Sequence, residues 1–425
     1  MRSMNLGEWL QRLELLHPKE IELGLERVAK VAQQLPVTKI AHRVITVAGT
    51  NGKGTTVRLL ANILSNAGLK VGCYSSPHLH HYNERVLIEG LPVEDQALCD
   101  AFVRVDKARR DIPLTYFEFG TLAAFDLFAR ANLDIVLLEV GLGGRLDATN
   151  ILNPDIAVVT SVALDHQEWL GNSRESIGYE KAGIMRPGLP AICGDPNPPL
   201  SLLQYAESLA VNLDCSGREF GYELTRSEDG KVTSWNWWGQ NNKEQIKFFG
   251  LPLPEIPIEN AATAIQTLMR LQLPIDEVHL RQGILRTRLP GRYQRIDKPV
   301  PIILDVAHNP HAASYLAERL KRESVKGCVH ALVGILADKD YDTMVQVMIP
   351  IIDYWSVSDL PTPRALSGEK LASVIQQQGA AVESYSSVSS ALGHLCETLT
   401  QEDLLVIFGS FYTVSEALTY LESRG

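Results

Sequence analysis

The segment Val44–Thr56 brings together the residue types that bind nucleotide phosphates. Its sequence, VITVAGTNGKGTT, opens with a β-branched run typical of a buried strand and continues with glycines around a lysine and paired hydroxyls. Glycines let backbone N–H groups approach phosphate oxygens, and the N-terminus of a following helix attracts the same negative charge. Lys53 would then reach the β- and γ-phosphates, and Thr55 or Thr56 would face a Mg²⁺ ion. The segment therefore predicts a phosphate-binding loop.

The spacing in this loop departs from the usual G-x-x-x-x-G-K-[ST] pattern, since Gly54 separates Lys53 from the first threonine. One group of ATP-using ligases carries this variant, so the departure makes the prediction more specific. The alternative is a glycine-rich turn whose lysine is merely solvated. The preceding strand and the helical pattern that we expect from Val57 favour the phosphate loop.

Polar residues also end the neighbouring predicted strands. Ser76, Glu139 and the pair Asp165-His166 each come at the end of a short apolar run. The carboxyl ends of parallel strands meet at one edge of a sheet, where ligands bind. A hydroxyl, a carboxylate and an imidazole there would suit Mg²⁺ shared with ATP phosphates. Taken one at a time, these residues have simpler explanations: Ser76 could cap a turn, Glu139 could pair with Arg145, and His166 could lie in the core. The presence of three such positions after one phosphate loop favours a metal site instead.

Three further segments carry polar residues in positions that suggest a ligand. Gly141–Asn150 is too rich in glycine and polar residues for a simple crossover connection. Lys181 lies in a predicted helix, residues 176–184, that we expect to face the same crevice; a surface lysine is an equally good interpretation. Asp305 and His308 follow a strand, where Asp305 could accept from a ribose hydroxyl and His308 could touch a phosphate or carboxylate. An N-cap followed by a turn would explain the same two residues.

The elements around these residues indicate an α/β protein. Near-continuous apolar strands alternate with helices, as expected of a doubly wound, mostly parallel sheet covered on both faces. Residues 215–250, with alternating tryptophans, predict a small antiparallel appendage. The β/α pattern starts afresh after the junction 289–293 and predicts a smaller, Rossmann-like C-terminal domain. We expect an ATP-binding domain over 1–290 and a second domain over 291–425, with a ligand cleft between them.

Helices near the N-terminus and beside the predicted site can also be placed. Residues 5–35 predict two amphipathic helices broken near His17-Pro18, the second over 21–34. A helix within 113–132 is expected after a turn at Thr115–Glu118. Another is expected to begin near Glu259-Asn260 and to end near Leu271.

Composition places the chain among soluble globular proteins. Its 425 residues exceed one ordinary core, and 45% hydrophobic with 21% charged residues is a typical balance. A net charge of −10 argues against a nucleic-acid-binding surface. The six cysteines form no C-x-x-C pair, which indicates reduced thiols rather than a zinc site. With no signal-peptide pattern and no apolar run of the ~20 residues that span a bilayer, we expect a cytoplasmic monomer without nucleic-acid or membrane partners.

Ten motifs occur in an order typical of one protein family. They are GTNGKGTT at 49–56, YSSPHL at 74–79, LTYFEFGTLAAF at 114–125, LEVGLGGRLDATN at 138–150, ALDHQEWLG at 163–171, EKAGI at 180–184, ENAATA at 259–264, LPGRYQ at 289–294, DVAHNPHAA at 305–313 and FGSFYT at 408–413. This set closely resembles the bacterial bifunctional dihydrofolate synthase/folylpolyglutamate synthase family, which is related to the Mur ligases. The resemblance covers nearly the whole chain and is weakest in 215–250.

The resemblance implies an ATP-dependent carboxylate–amine ligase. In such an enzyme ATP phosphorylates the carboxylate of a pteroate, the amine of L-glutamate attacks the acyl phosphate, and phosphate leaves. Repetition on the γ-carboxylate of a reduced folate extends a polyglutamate tail. A carboxylate is a poor electrophile at neutral pH, so phosphoryl transfer is the step that needs the metal and the phosphate loop. The implied substrates are ATP, L-glutamate, 7,8-dihydropteroate and tetrahydrofolate derivatives.

The resemblance also implies roles for individual residues. Lys53, His308 and Lys181 would take part in catalysis. Two Mg²⁺ ions would be bound by Ser76, Glu139, His166 and Lys181, the last in carbamylated form. The ATP-binding positions would be Thr50, Asn51, Gly52, Lys53, Gly54, Thr55, Asn260, Arg292 and Asp305. The pterin-binding positions would be Glu22, Leu23, Gly24, Thr115, Tyr116, Phe117, Glu118, Leu146, Asp147 and Ala148.

The match at the pterin positions favours the bifunctional enzyme over one that only extends polyglutamate. In family terms Phe117 would lie against the pterin ring. Glu22 stands where the family often has aspartate, so a longer carboxylate alters that contact, and Tyr293 replaces a common phenylalanine. A peptidoglycan Mur ligase is a weaker alternative, because too little chain precedes the phosphate loop for a sugar-binding domain. A P-loop kinase or switch-like module is the alternative from another class, and it would leave the second domain without a purpose.

Overall fold

The computed structural model describes residues 4–17, 19, 21–242 and 244–424. The chain forms two compact units, Met1–Thr287 and Arg288–Gly425. An eight-stranded sheet organises the first unit and a six-stranded sheet the second. The α/β fold class is thus confirmed, and the functional domain boundary at residue 290 stays a prediction. Within the described residues, no helix combines the length and apolarity needed to cross a bilayer.

The first unit contains the larger sheet. Its strands are β1 (Arg43–Ala48), β2 (Val71–Tyr74), β3 (Val86–Ile88), β4 (Leu91–Pro92), β5 (Ile135–Glu139), β6 (Ile156–Val159), β7 (Pro190–Cys193) and β8 (Asn212–Cys215). They lie in the order β4-β3-β2-β5-β1-β6-β7-β8. The strands from β2 to β8 in that order pair in parallel, and β3 and β4 add an antiparallel edge. The residues that follow β1, β2, β5 and β6 therefore meet at one edge of the sheet.

Ten α-helices accompany this sheet among the described residues. They are α1 (Leu6–Leu16), α2 (Glu26–Ala32), α3 (Lys53–Asn66), α4 (Asp95–Arg109), α5 (Tyr116–Arg130), α6 (Gln167–Leu170), α7 (Arg174–Ala182), α8 (Leu200–Ser208), α9 (Ile258–Leu271) and α10 (Glu277–Arg286). Short 3₁₀ helices span Tyr82–Arg85 and Ala148–Ile151.

Two apolar clusters hold the helices on the large sheet. The first packs α1, α2, α4 and α5 against β5 and includes the rings of Trp9, Phe102 and Phe119. The centroids of Phe102 and Phe119 lie 5.7 Å apart in an edge-to-face arrangement. The second cluster packs α7 and α8 against β6 and β7. Strands covered in this way read as near-continuous apolar runs, which is why the sequence reveals β5 and β6.

The predicted antiparallel appendage is a three-stranded sheet of the first unit. Its strands are β9 (Gly221–Arg226), β10 (Val232–Gln240) and β11 (Gln245–Leu251), in the order β11-β10-β9. Trp235 and Trp237 alternate with polar residues along β10, and both side chains are fully buried. One face of this small sheet is therefore covered by the rest of the unit.

The second unit repeats the β/α alternation. Its strands are β12 (Gln294–Ile296), β13 (Ile302–Leu304), β14 (Val329–Val333), β15 (Tyr354–Ser358), β16 (Val382–Tyr385) and β17 (Leu404–Phe408). They lie in the order β12-β13-β17-β14-β15-β16, in parallel except for β12. Its helices are α11 (Pro310–Leu320), α12 (Tyr341–Met348), α13 (Gly368–Gln377), α14 (Val388–Thr398) and α15 (Phe411–Glu422).

Three predicted helix boundaries are wrong. Helix α3 begins at Lys53 rather than at Val57, because Gly52 adopts a left-handed conformation (φ 84°) and ends the loop there. Thr115 is the N-cap of α5, so the expected turn at 115–118 is the first turn of the helix. Helix α2 is shorter than the predicted 21–34. Pro18, near which a helix break is expected, lies outside the described residues.

Candidate active site

The phosphate loop lies between β1 and α3, as its sequence predicts. The Lys53 side chain turns back over this loop, and its Nζ donates to the carbonyl oxygens of Gly49 (2.9 Å) and Thr50 (3.3 Å). The alternative of a merely solvated lysine is therefore wrong. The loop is tied to the segment after β6, since Thr50 Oγ1 donates to Ala163 O (3.0 Å) and Thr160 Oγ1 donates to Asn51 O (2.6 Å). These contacts fix the backbone that would surround a phosphate.

Gly54, the residue that makes this loop unusual, lies against Glu139. A Cβ built on Gly54 would be 3.2 Å from Oε2 of Glu139, which is tighter than ordinary contact. Glu139 ends β5, is 6% exposed and accepts from the backbone N–H of Ser76 (3.4 Å). The missing side chain at position 54 thus lets the first turn of α3 approach a buried carboxylate. The loop, Ser76 and Glu139 come together as the sequence predicts.

Lys181, on α7, is a buried lysine. It is 3% exposed, so the alternative of a surface lysine is wrong. Burial lowers the pKa of Lys181 to about 7; the positive charge of Lys53 adds to this shift, and Asp165 opposes it. The three groups therefore lie close enough to influence one another's charge.

The alternatives for Glu139 and His166 also fail. Arg145 pairs with Glu180 (Nη2–Oε1 2.8 Å), not with Glu139. His166 precedes α6 in a left-handed conformation (φ 49°), and its side chain is 34% exposed, so it is not a core histidine. Its backbone N–H donates to Asp165 Oδ1 (2.9 Å). This places an imidazole next to the carboxylate that influences Lys181.

The donor set fits a hard cation that shares its ligands with a nucleotide. Across the described ranges, no three His, Cys, Asp or Glu side chains converge on one point. Beside the phosphate loop, the first unit instead offers the buried carboxylate of Glu139, which accepts from the backbone N–H of Ser76. Mg²⁺ commonly takes one or two carboxylates from the protein and completes its shell with phosphate oxygens and water. Such an ion would fit here only together with the phosphates that the loop binds.

The predicted pterin residues come together through an arginine that sequence reasoning missed. Arg27, on α2, pairs with the carboxylate of Glu22 through Nη1 and with Glu118 Oε1 through Nη2 (3.0 Å). Glu118 is buried and forms a capping box with Thr115 (Glu118 N to Thr115 Oγ1 3.2 Å, Thr115 N to Glu118 Oε2 2.8 Å). The start of α5 and the segment around Glu22 are thereby joined.

A second set of contacts joins this cluster to the glycine-rich segment after β5. The N–H of Gly24 donates to Leu146 O (3.4 Å). Asp147 is buried and accepts from Leu142 N (2.9 Å) and from the N–H and Oγ1 of Thr149. The ring of Phe117 covers Gly141, where a Cβ would be 2.5 Å from Cζ of the ring. Contacts within the protein therefore hold Gly141–Asn150 in place, and the expectation that this loop is shaped around a ligand stays a prediction.

The remaining pterin candidates occupy different surroundings. The Tyr116 ring packs edge-to-face on Tyr82 (5.9 Å) and lies under the guanidinium of Arg85 (5.5 Å). Leu23 is half-buried, and Ala148 is buried at the start of the 3₁₀ helix Ala148–Ile151.

In the second unit, the predicted residues follow β13. Asp305 accepts from the N–H groups of Tyr293 and Ala307 (both 2.9 Å). Burial raises the pKa of Asp305, and the charge of Arg292 opposes that shift. The N-cap of α11 is Asn309, so Asp305 and His308 form the turn before the helix. The alternative of a turn plus an N-cap therefore describes their backbone, and a ligand-binding role for the half-buried Asp305 stays a prediction.

Sequence reasoning missed two residues of this edge. Phe411, at the start of α15, lies under the Arg292 guanidinium (5.3 Å) and 6.0 Å from the His308 ring. The FGSFYT motif is the sequence signal that points to it. Lys339 follows β14, is 8% exposed, and its Nζ lies 3.6 Å from Asp338. A buried lysine at the carboxyl edge of a parallel sheet is a candidate for an anionic ligand.

Comparison with known proteins places this geometry in a family. Residues 47–190 match the Mur ligase middle domain, and residues 291–411 match the Mur ligase glutamate ligase domain. A dihydrofolate synthase/folylpolyglutamate synthase from Escherichia coli K12 is 45% identical over 99% of this chain and 96% of its own length.

Two solved structures share the fold over nearly the whole chain. An E. coli structure in complex with DHPP and ADP is 44% identical, covers 99% of both chains and has a TM-score of 0.94. A bifunctional folylpolyglutamate synthase/dihydrofolate synthase with Mn, AMPPNP and L-glutamate bound is 43% identical, covers 99% of this chain and 98% of its own, and has a TM-score of 0.91. The chain belongs to the dihydrofolate synthase/folylpolyglutamate synthase family, the ATP-dependent ligases built from Mur ligase domains.

Proposed function

We propose that this enzyme joins L-glutamate to 7,8-dihydropteroate and also adds glutamate to reduced folates. The observation that carries the first activity is the cluster in which Arg27 links Glu22 to Glu118. Beside it, the Phe117 ring covers Gly141. An aromatic ring and carboxylates at a buried helix start suit a flat heterocycle that donates several hydrogen bonds. The E. coli relative in complex with DHPP and ADP supports a substrate of this class for the family.

ATP is proposed to bind at the phosphate loop. Lys53 would exchange its bonds to the loop carbonyls for the β- and γ-phosphates. Asn260 touches Gly52 of the loop and would contact the nucleotide there. Arg292 and Asp305 are proposed for the base and ribose side of ATP.

The metal is proposed to be Mg²⁺, and the relative with bound Mn and AMPPNP supports a divalent cation beside the nucleotide. Ser76, Glu139 and His166 would hold it. Such an ion would neutralise charge on the phosphates during transfer.

Lys181 is proposed to be carbamylated and to serve a second cation. A neutral amine adds to CO₂ and releases a proton, and the lowered pKa of Lys181 supplies that neutral amine near pH 7. The new carboxylate would replace a buried positive charge next to Lys53 with a negative one. Enrichment with ¹³C-bicarbonate should give a carbamate NMR signal that disappears in Lys181→Gln; a signal unchanged in that variant would contradict the assignment.

The second unit is proposed to position L-glutamate. His308 Nδ1 lies 2.8 Å from Val306 O, so this nitrogen donates and fixes the ring orientation. His308 follows β13 and Lys339 follows β14, two strands separated by β17 in the same sheet, and both side chains are proposed to face carboxylates of glutamate. The relative with bound L-glutamate supports an amino-acid site in this family.

The proposed reaction consumes ATP, a pteroate carboxylate and glutamate, and it yields ADP, phosphate and a new amide bond. A carboxylate oxygen of the pteroate attacks the γ-phosphorus, and the bond to the β-phosphate oxygen breaks, which gives an acyl phosphate and ADP. The neutral amine of glutamate attacks the acyl carbon, phosphate leaves with the electron pair of its C–O bond, and the nitrogen loses a proton. Lys53 would stabilise charge on the transferred phosphoryl group, where preorganised cations contribute most.

The test is phosphate release with ATP and Mg²⁺, with and without glutamate, on 7,8-dihydropteroate and on a reduced folate. We expect glutamate-dependent turnover on both substrates. Turnover on the folate alone would indicate a folylpolyglutamate synthase and refute the pterin cluster. Phosphate release without glutamate would indicate a kinase-like or switch-like module instead.

Phe117 offers the sharper variant of this test. Phe117→Leu should lower kcat/KM for 7,8-dihydropteroate about tenfold and kcat/KM for a reduced folate about twofold or less. The reason is that the Phe117 ring is proposed to pack tightly on the pterin of 7,8-dihydropteroate and loosely on that of the reduced folate. Equal losses on both substrates would contradict a separate dihydropteroate mode. Thr115→Ala is a poor probe, since losing this N-cap should cost about 1 kcal/mol of stability by itself.

A further inference from the structure

Helix α9 is buried on every side. Nine consecutive residues, Asn260–Leu268, are all buried, whereas a surface helix buries one stripe. Its first turn carries Asn260, whose side-chain amide lies against Gly52 of the phosphate loop. A Cβ on Gly52 would be 2.5 Å from Oδ1 of Asn260. The position of α9 therefore sets the position of Asn260 on the loop.

Strands β9 and β10 of the three-stranded sheet bond to this helix. The indole N–H of Trp237 donates to Ala262 O (3.1 Å), one turn or less from Asn260. Tyr222 OH donates to Glu259 Oε1 (2.7 Å), the residue before Asn260. A carbonyl inside a helix can accept a second hydrogen bond through its other lone pair, so the indole adds an anchor without removing one.

Gln266 links the helix to both sheets of the unit. Its Nε2 donates to Asp214 Oδ2 (2.6 Å) on β8 and to Gln240 O (2.8 Å) on β10. Gln240 in turn donates from its side chain to Asp214 Oδ1 (3.1 Å). Because every member of this network is at most partly exposed and is bonded, it holds α9 between the edge of the large sheet and the small sheet.

We propose that the three-stranded sheet is a brace that holds Asn260 against the phosphate loop, with Trp237 as its main positioning residue. Trp237 touches no reacting atom and acts through α9. Its ring is fixed from the other side by Phe248, stacked at 5.5 Å. This inference rests on the proposed role of Asn260 in ATP binding.

The test is the KM for ATP of Trp237→Phe, measured at saturating glutamate and reduced folate. Phenylalanine keeps an aromatic ring but removes the N–H donor to α9. We expect the KM for ATP to rise about fivefold, the effect of losing one buried hydrogen bond, with kcat within about twofold. An unchanged KM for ATP would overturn the proposal.

Trp235→Phe is the matched control. Trp235 lies on the same strand, is equally buried, and donates its N–H to Pro252 O (2.8 Å) in the segment before the helix. This variant should lose a similar amount of thermal stability and keep the KM for ATP. If both variants raise the KM equally, the effect is general loosening and the positioning role is refuted. Tyr222→Phe, on the partly exposed edge, gives a second variant should Trp237→Phe fold poorly.

A double-mutant cycle separates positioning from stability. In an Asn260→Ala background, Trp237→Phe should change the KM for ATP by less than about 1.5-fold, because the residue through which it acts is gone. Multiplicative effects of the two substitutions would contradict the brace.

Hydrogen exchange without nucleotide distinguishes failure of the brace from failure of the ATP assignment. Peptides covering 50–56 and 258–264 should exchange faster in Trp237→Phe than in Trp235→Phe or the parent. Unchanged exchange overturns the brace whatever the kinetics are. Faster exchange supports the brace even where Asn260→Ala leaves the KM for ATP unchanged, a result that would refute only the proposed ATP contact.

Discussion

The two units place polar residues at the carboxyl edges of their parallel sheets, but they hold those residues differently. In the first unit Glu139 and Lys181 are ionisable groups almost without solvent exposure. In the second, Asp305 is held by two backbone N–H groups, and Arg292 rests on the ring of Phe411. Buried charges cost free energy unless opposite charges approach them. We therefore propose that the chemistry of the first site depends on charge balance and that the second site orients its ligand.

The largest effect should come from the charge-balanced site. Lys53→Ala should lower kcat by about a thousandfold or more, because the variant loses the side-chain cation proposed to stabilise the transferred phosphoryl group. Glutamate-dependent phosphate release measures this loss. The melting temperature should change little, since the lysine lies in the loop and donates to the carbonyl oxygens of Gly49 and Thr50. Lys70→Ala, at an exposed lysine of the same unit, is the control; an unfolded Lys53→Ala variant would contradict the expectation.

The corresponding change in the second unit should affect binding more than turnover. Arg292→Ala should raise the KM for ATP about tenfold with kcat within about threefold, because the arginine is a positioning contact beside Asp305. Steady-state kinetics at varied ATP gives both constants. Arg295→Ala, an exposed arginine of the same unit, should be silent. A fall in kcat of Arg292→Ala at an unchanged KM for ATP would contradict the expectation that the second unit affects binding more than turnover.

A smaller effect is expected at the glycine beside Glu139. Gly54→Ala should raise the Mg²⁺ concentration for half-maximal activity about threefold, because the new methyl group pushes on the carboxylate proposed to bind the ion. Stability should change little, because the gain of ~0.5 kcal/mol from replacing a helical glycine is opposed by the tight contact with Glu139. Gly7→Ala is matched, since Gly7 is also the second residue of its helix and has only Asn5 Oδ1 within reach, at 3.5 Å. An unchanged Mg²⁺ concentration for half-maximal activity would contradict the proposal that Glu139 binds the ion.

The smallest effect concerns pH and the second unit. His330 on β14 stacks on Tyr354 (4.9 Å), and burial lowers its pKa from 6.5, with Asp403 and Asp353 opposing the shift. The unfolded chain then binds a proton more readily than the native chain, so this residue favours folding above pH 6.5 and that contribution falls on acidification below it. When the pH is lowered from 7 to a mildly acidic value, the melting temperature of His330→Gln should therefore fall less than that of the parent. A steeper loss in the variant would reverse the sign of the shift.

Local patterns made the phosphate loop and the strand ends predictable. The loop needs only the order of glycines, lysine and hydroxyls in 44–56, and β5 and β6 are marked by apolar runs. Ser76 and Glu139 could be grouped with the loop because parallel strands share a carboxyl edge.

Long-range contacts set the limits of that reasoning. Arg27 joins Glu22 to Glu118, which lies 91 positions after Arg27 in the sequence. No pattern near Arg27 in the sequence indicates this contact. Arg145 pairs with Glu180 on α7, which excludes the alternative of a pair with Glu139 that the sequence alone left open. The burial of Lys181 depends on how α7 packs against its neighbours, which the local sequence does not show.

The capping box at the start of α5 has a consequence for inhibitor design. Thr115 and Glu118 begin a buried helix, and Glu118 also accepts from Arg27 next to Glu22. A substitution that weakens a compound bound at this place would also remove a helix cap or leave a buried charge unpaired. Escape mutants would then express poorly or unfold at growth temperature, so drug resistance should arise more slowly here than at exposed positions such as Lys70.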